Sequence, residues 1–233
     1  MNYPKVLVII LNYKNWRDTL ECLENVFKLN YDNFSIVVVD NNSENNSLEK
    51  IKNYLDGNLE IEFKIPSKIR DLVYPLTKKP ISYVYYEKEE VEKGGILEEE
   101  FKNQVILIQS GYNGGFAFGN NIGIKYALVK DDFEYIWLLN NDTIVEKDSL
   151  TKLVQKAEYY KSLNKKVGII GSKILYYDNP EILNGVGGRY NKWFSVSKQI
   201  GVFKKDLGQY DKEEIIKKMD YIIGASMFVS KDF

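Results

Sequence analysis

The sequence predicts an α/β fold: a Rossmann-like, mostly parallel central sheet with helices on both faces. Three observations predict it. Two β-branched runs, residues 6–11 and 36–39, are apolar without interruption, as strands covered on both faces must be. Between them Leu20, Leu23, Val26 and Phe27 recur at helical spacing, so the chain opens with a βαβ unit. Strand-like and helix-like segments then continue to alternate, which implies parallel strands with crossover helices.

The elements follow in order. Strand 6–11 leads to a helix over 19–29 with Asp18 or Thr19 as N-cap, then strand 36–39. A helix over 47–55 sets Leu48, Ile51 and Leu55 on one face. Residues 57–104 break the pattern with Pro66, Pro75 and Pro80, an aromatic stretch over 83–86 and a charged run over 87–93. They read as an insertion with some extended structure and a short charged helix, packed over one sheet edge. The Tyr83, Tyr85 and Tyr86 stretch suits alternation between core and solvent better than a base-stacking platform. Further strands are expected over 105–108, 135–139, 167–171 and 222–229, with helices over 121–129 and 148–161. Residues 1–143 form a nucleotide-binding half and residues 144–233 begin a second half of one domain.

The chain has 233 residues and a net charge of -1, so no excess of positive charge points to nucleic acid. It contains no histidine and a single cysteine, Cys22. Imidazole bases, histidine triads, histidine–zinc sites and thiolate clusters are excluded. A bound metal must use oxygen ligands, which selects a hard cation such as Mg2+ or Mn2+. The apolar run at the start is too short to span a bilayer, no other run is longer, and no cleavable leader is evident. The expected location is cytoplasmic, either free or peripheral at the inner face of the membrane.

Three polar motifs stand beside these strands. Asp40-Asn41-Asn42-Ser43 follows a buried strand. Asp40 either offers its carboxylate to a base N–H or ribose hydroxyl, or closes an Asx-turn ahead of the next helix. The stretch from Asn113 to Gly123 is rich in glycine and asparagine, Gly115 and Asn120 among them, and opens a helix. It is neither a P-loop nor a GxGxxG fingerprint. It serves either as a close-approach loop for an anion or as a plain structural turn. Asn140-Asn141-Asp142 ends the strand that carries Trp137. Asp142 either holds a divalent ion on a diphosphate or favours the amino end of the next helix. Asn12, Asp40 and Asn140–Asp142 all follow strand-like runs, so a parallel sheet brings them to one edge. A segment Gly185-Val-Gly-Gly188 with Tyr190 and Trp193 reads as a turn with packed aromatics, or as lining for a sugar.

In combination these motifs resemble family 2 glycosyltransferases of the GT-A fold, rhamnosyltransferase-like members in particular. The resemblance runs from Lys5 to Phe233 apart from parts of the insertion, and includes Gly224-Ala-Ser-Met227 as a late motif. It implies metal-assisted, inverting transfer of a sugar from a nucleoside diphosphate donor to a hydroxyl of a glycan or lipid-linked glycan. This would serve polysaccharide biosynthesis of the cell envelope. By the same resemblance Asn12, Asp40, Asn42, Asn113, Gly115, Asn120, Asn140, Asn141 and Gly224 bind substrate, with Asp40 on the base and Asp142 as metal ligand. Asn140 stands where the first aspartate of a DxD motif is common, which removes one charged metal contact. The family's general base follows the late motif and is expected beyond Phe233. Asp220, placed by the sequence on the opposite side of the sheet, and the terminal Asp232 do not replace it. This segment is therefore expected mainly to bind donor and to be inactive alone. The competing classes are a sugar nucleotidyltransferase, disfavoured because Asn12–Trp16 lacks a basic glycine-rich loop, and a non-catalytic nucleotide-sugar-binding module.

Overall fold

The computed structural model describes residues 3–95 and 105–233. Residues 96–104, the end of the expected insertion, lie outside the described residues. In chain order the first elements are β1 (Val6–Asn12), α1 (Trp16–Val26), β2 (Phe34–Asp40), α2 (Ser47–Asp56), a 3-10 helix (Ser67–Leu72), β3 (Tyr83–Glu87) and α3 (Lys88–Val91). Next come β4 (Val105–Gln109), α4 (Gly115–Lys130), β5 (Tyr135–Asn140), α5 (Ser149–Ser162), β6 (Ile169–Gly171) and β7 (Ile174–Leu175). The last are β8 (Leu183–Gly185), β9 (Gly188–Asn191), β10 (Val196–Gln199), α6 (Glu213–Ile216) and β11 (Ser226–Ser230).

Among the described residues, seven strands form the main sheet in the order β3-β4-β2-β1-β5-β11-β6. The pairings from β3 to β5 are parallel, and β11 runs antiparallel to both β5 and β6. Alternation divides the core. Val6, Val8 and Ile10 of β1 pack with α1, α2 and α5 on one face. Leu7 and Ile9 pack with α4 on the other, together with Ile122 and Tyr126. Two glycines set how closely α4 lies on β1. A Cβ on Gly119 would overlap Leu11, and one on Gly123 would come within 2.8 Å of Ile9. Much of the glycine in this segment thus serves helix–strand packing.

Several expected boundaries shift. The first helix begins at Trp16 with Asn15 at the cap position, so Asp18 lies in its first turn and caps nothing. α4 begins at Gly115, well before residue 121. The insertion contributes the edge strand itself. Val84 and Tyr86 enter one core, while Tyr83 and Tyr85 pack against the other. Of the charged run, Val91 is buried, and Glu87 and Glu90 form a reciprocal capping box on α3. Glu24 of α1 anchors the insertion from beneath. Fully buried, it accepts hydrogen bonds from Tyr54 Oη at 2.8 Å and the Thr77 amide at 2.6 Å, and pairs with Lys79.

The direction of β11 corrects another expectation. Because β11 is antiparallel, its amino end emerges at the same edge as the carboxyl ends of β1, β2 and β5. The segment before it, including Asp220, therefore approaches from that side and not from the opposite one. Asp220 is committed there to the Tyr190 amide, at 2.8 Å.

Candidate active site

The carboxyl edge of the parallel strands carries polar residues on both faces of the sheet, and the two sets behave differently. Asn12, Asp40 and Gln109 are register neighbours across β1, β2 and β4. Strand alternation puts all three on the α1 face. Asp40 Oδ1 accepts from Asn12 Nδ2 at 2.6 Å. Its Oδ2 accepts from the Ser43 amide at 3.0 Å and from Gln109 Nε2 at 3.2 Å. Asn12 Oδ1 accepts in turn from Thr19 Oγ1 at 2.9 Å. Asn12 and Asp40 are both fully buried. The Asp40 carboxylate closes a turn onto the Ser43 amide three residues on, short of the cap of α2 at Asn46, and holds the edge together from within.

The α4 face is open. A cleft of about 330 Å³ is lined by Leu11, Tyr13, Asn41, Asn113, Gly115, Phe116 and Asn140–Asp142. Asn113 is exposed, and its Oδ1 accepts from Asn41 Nδ2 at 2.8 Å and from the Gly115 amide at 2.9 Å. Gly115 has φ +84° with nothing facing its missing side chain, so backbone lies bare at the amino end of a long helix. Asn41 is buried and donates a second bond to Gly115 O, yet its Oδ1 has no hydrogen-bond partner. An unpaired acceptor at the wall of a polar cleft is a place where a ligand donor or a water is wanted. Tyr13 leans over the cleft, and Lys14 and Asn113 hold its phenol below the ordinary value.

Asp142 stands at the lip. It is exposed just past β5, while Asn141 Nδ2 is tied to Thr19 Oγ1 at 3.0 Å. Asp142 also lines a second cleft of about 440 Å³ on the α1 side, with Arg17, Asp18, Glu21, Lys64 and Tyr177. Burial, and then the charge of Asp142, raises the Asp18 carboxyl above its ordinary value. Burial likewise raises Glu21, opposed by the hydrogen bond it accepts from Tyr177 Oη at 2.8 Å.

Of the sequence-predicted residues, Asn113, Gly115, Asn140, Asn141 and Asp142 meet in the α4-side cleft. Asn12 and Asp40 lie beneath the edge, outside its lining. Asn42 takes a left-handed turn at φ +54°. Asn120 is buried in α4 and donates back to Phe116 O at 2.9 Å. Gly224 is exposed just before Ala225, whose carbonyl accepts from the Asn140 amide at 2.9 Å. Two further lining residues, Asn41 and Tyr13, carry no role in the sequence reading, although Asn41 lies inside the Asp40–Ser43 motif and Tyr13 follows Asn12.

The donor set suits a hard cation in one respect. Asp142 offers an exposed carboxylate beside amide oxygens, but the described residues contain no group of three or more acidic or soft ligands. An ion placed here would have the Asp142 carboxylate from this chain and would take the rest of its shell from amide oxygens, phosphate and water.

An α/β domain with a polar cleft at the carboxyl edge of its parallel strands, beside a helix amino end, has the crevice where open α/β sheets bind ligands. The sequence profile described as Glycosyl transferase family 2 matches residues 7–68 and 94–198. The chain belongs to that family, and its sheet is the GT-A arrangement. The central part of the insertion falls outside the match. No curated protein matches the chain. Among solved structures it is similar to the mannosyltransferase PcManGT from Pyrobaculum calidifontis in complex with GDP-Man and Mn2+, at 14% identity and TM-score 0.47. That likeness covers 76% of this chain and 37% of that one. It is also similar to S. aureus TarS 1-349 in complex with UDP-GlcNAc, at 17% identity and TM-score 0.40, over 67% of this chain and 32% of that one. The chain thus spans about a third of the length of these proteins.

Proposed function

We propose that this chain forms the donor site of an enzyme that transfers a hexosyl group, rhamnosyl in particular, from a nucleoside diphosphate to a hydroxyl of a glycan or lipid-linked glycan. The reaction proceeds with inversion in cell-envelope polysaccharide synthesis. The observation that carries the reading is the α4-side cleft, in which Asn41, Asn113, Gly115 and Asp142 converge at the strand ends. Tyr13 supplies an aromatic face for the base, and the bare backbone at Gly115 approaches the diphosphate. Asn41, buried beneath the cleft wall, positions Asn113 and Gly115 through its amide nitrogen. Asn12 and Asp40 act through this edge by fixing where β1 and β2 end. Asp142, with Asn140 beside it, holds Mg2+ or Mn2+; the ion offsets the charge that builds on the leaving diphosphate.

The test is calorimetric titration with a panel of nucleoside diphosphates, in Mn2+ or in EDTA. Binding is expected to tighten at least tenfold with the metal, and Asp142→Ala is expected to erase that gain without loss of fold. Equal affinity in both conditions for the unaltered chain would remove the metal from the proposal. Absence of binding to every nucleotide would remove the donor site.

A further inference from the structure

We propose that the β9–β10 hairpin is a docking element for the surface of an anionic lipid bilayer. Aromatic side chains crowd its tip, where the turn over 192–195 carries Trp193 at 84% and Phe194 at 77% exposure. Tyr190 and Val196 on the adjoining strands are also more than half exposed. The expectation of packed aromatics at this turn is thus overturned. A large ring facing water at a hairpin tip contributes nothing to the fold it belongs to, whereas Trp and Tyr favour the boundary between water and acyl chains.

Charge decides between lipid and other occupants. From Glu181 to Asp206 the chain carries Arg189, Lys192, Lys198, Lys204 and Lys205 and no acid between them. Lys205 is paired with Glu181 at 3.0 Å. Among the described residues Arg189, Lys192 and Lys198 have no ion pair. Arg189 and Lys198 are direct cross-strand partners, so two cations share one face of a two-stranded sheet. Like charges in that position destabilise a hairpin, and a negatively charged surface reverses the sign. Lys192 lies over the Trp193 ring at 5.6 Å, so cation and aromatic reach the same surface together. Asp220 accepts from the Tyr190 amide at 2.8 Å, so one acid lies against the hairpin's backbone. A second copy of this chain would bring the same positive charge to meet it, which disfavours self-association through this face.

Position gives the docking a purpose. Gly188 at the hairpin base bridges to Tyr221, and the chain passes from there through Gly224 to the sheet edge that carries Asn140. A hairpin seated on a bilayer therefore holds the candidate active site close to the headgroups. This inference does not depend on the transferase reading, because lipid binding needs no substrate.

Co-sedimentation with vesicles tests it, using phosphatidylcholine alone against equal parts phosphatidylcholine and phosphatidylglycerol. Binding is expected only with the anionic vesicles, to fall as salt rises, and to shift the Trp193 emission to the blue. Lys192→Glu and Lys198→Glu are each expected to weaken partition at least about fivefold. Trp193→Ala with Phe194→Ala is expected to weaken it about tenfold and to abolish the blue shift. All four side chains project from the hairpin, and unchanged far-ultraviolet dichroism verifies the fold. No binding to anionic vesicles, or equal binding by the variants, overturns the proposal. So does a lipid-free dimer, detected by sedimentation velocity, that dissociates on Trp193→Ala, which would make the occupant a second copy.

Discussion

Asn12 Nδ2 donates to Asp40 Oδ1 at 2.6 Å across two neighbouring parallel strands, and both residues are fully buried. Asp40 accepts from three donors on three different segments, so even an isosteric change matters. Asp40→Asn turns one acceptor into a donor facing Asn12, Ser43 or Gln109. It is expected to destabilise the fold by about 1–3 kcal/mol. Urea denaturation followed by fluorescence measures this; an unchanged midpoint and slope would show that the polar row is dispensable.

The glycines of α4 divide by what surrounds them, and substitution separates the two groups. Gly123→Val presses an isopropyl group against Ile9 and is expected to cost about 3 kcal/mol of stability. Gly115→Ala meets open space but must hold a positive φ, at a cost of about 1 kcal/mol. Its larger expected effect is on nucleoside diphosphate affinity, because the new methyl group stands in the cleft. Reversal of the two outcomes in paired melting and titration experiments would relocate the site.

Cys22 is expected to resist alkylation while the chain is folded. Burial pushes its thiol up to about 12, against an ordinary 9.0, and thiolate is the reactive form. As pH rises, the unfolded chain loses this proton first. The stability gained by keeping the thiol neutral is therefore complete below about pH 9 and declines from there toward pH 12. Labelling by iodoacetamide at pH 8 should track unfolding through a urea series; rapid labelling of the native chain would contradict the burial.

How far the sequence carried the fold is clearest at the strand ends. The apolar runs of β1, β2, β4 and β5 were legible, but each strand continues one residue further, into Asn12, Asp40, Gln109 and Asn140. A polar residue that closes a strand looks like a turn until its buried partners are known. The glycine-rich start of α4 looked like loop for a related reason, since the need for Gly119 and Gly123 arises only when Leu11 and Ile9 lie opposite. Strand direction was not legible in β11, because an apolar strand inside a sheet shows the same pattern whichever way it runs. The site was legible as an edge. Its division between a locked α1 face and an open α4 face was not, because that depends on side-chain alternation past the last apolar residue.

The sheet pairs strands far apart in the chain, with Val6 beside Tyr135 and Ser226 beside Leu139. Such non-local pairing makes for slow assembly, since long loops must close before their contacts form. On the ribosome β1 and β2 can meet early, but β1 waits for most of the chain before its second neighbour arrives. The cleft is lined by the ends of β1 and β5 and the start of α4, so it cannot exist before β5 has joined β1. Its first occupancy by a ligand would accordingly mark the arrival of β5.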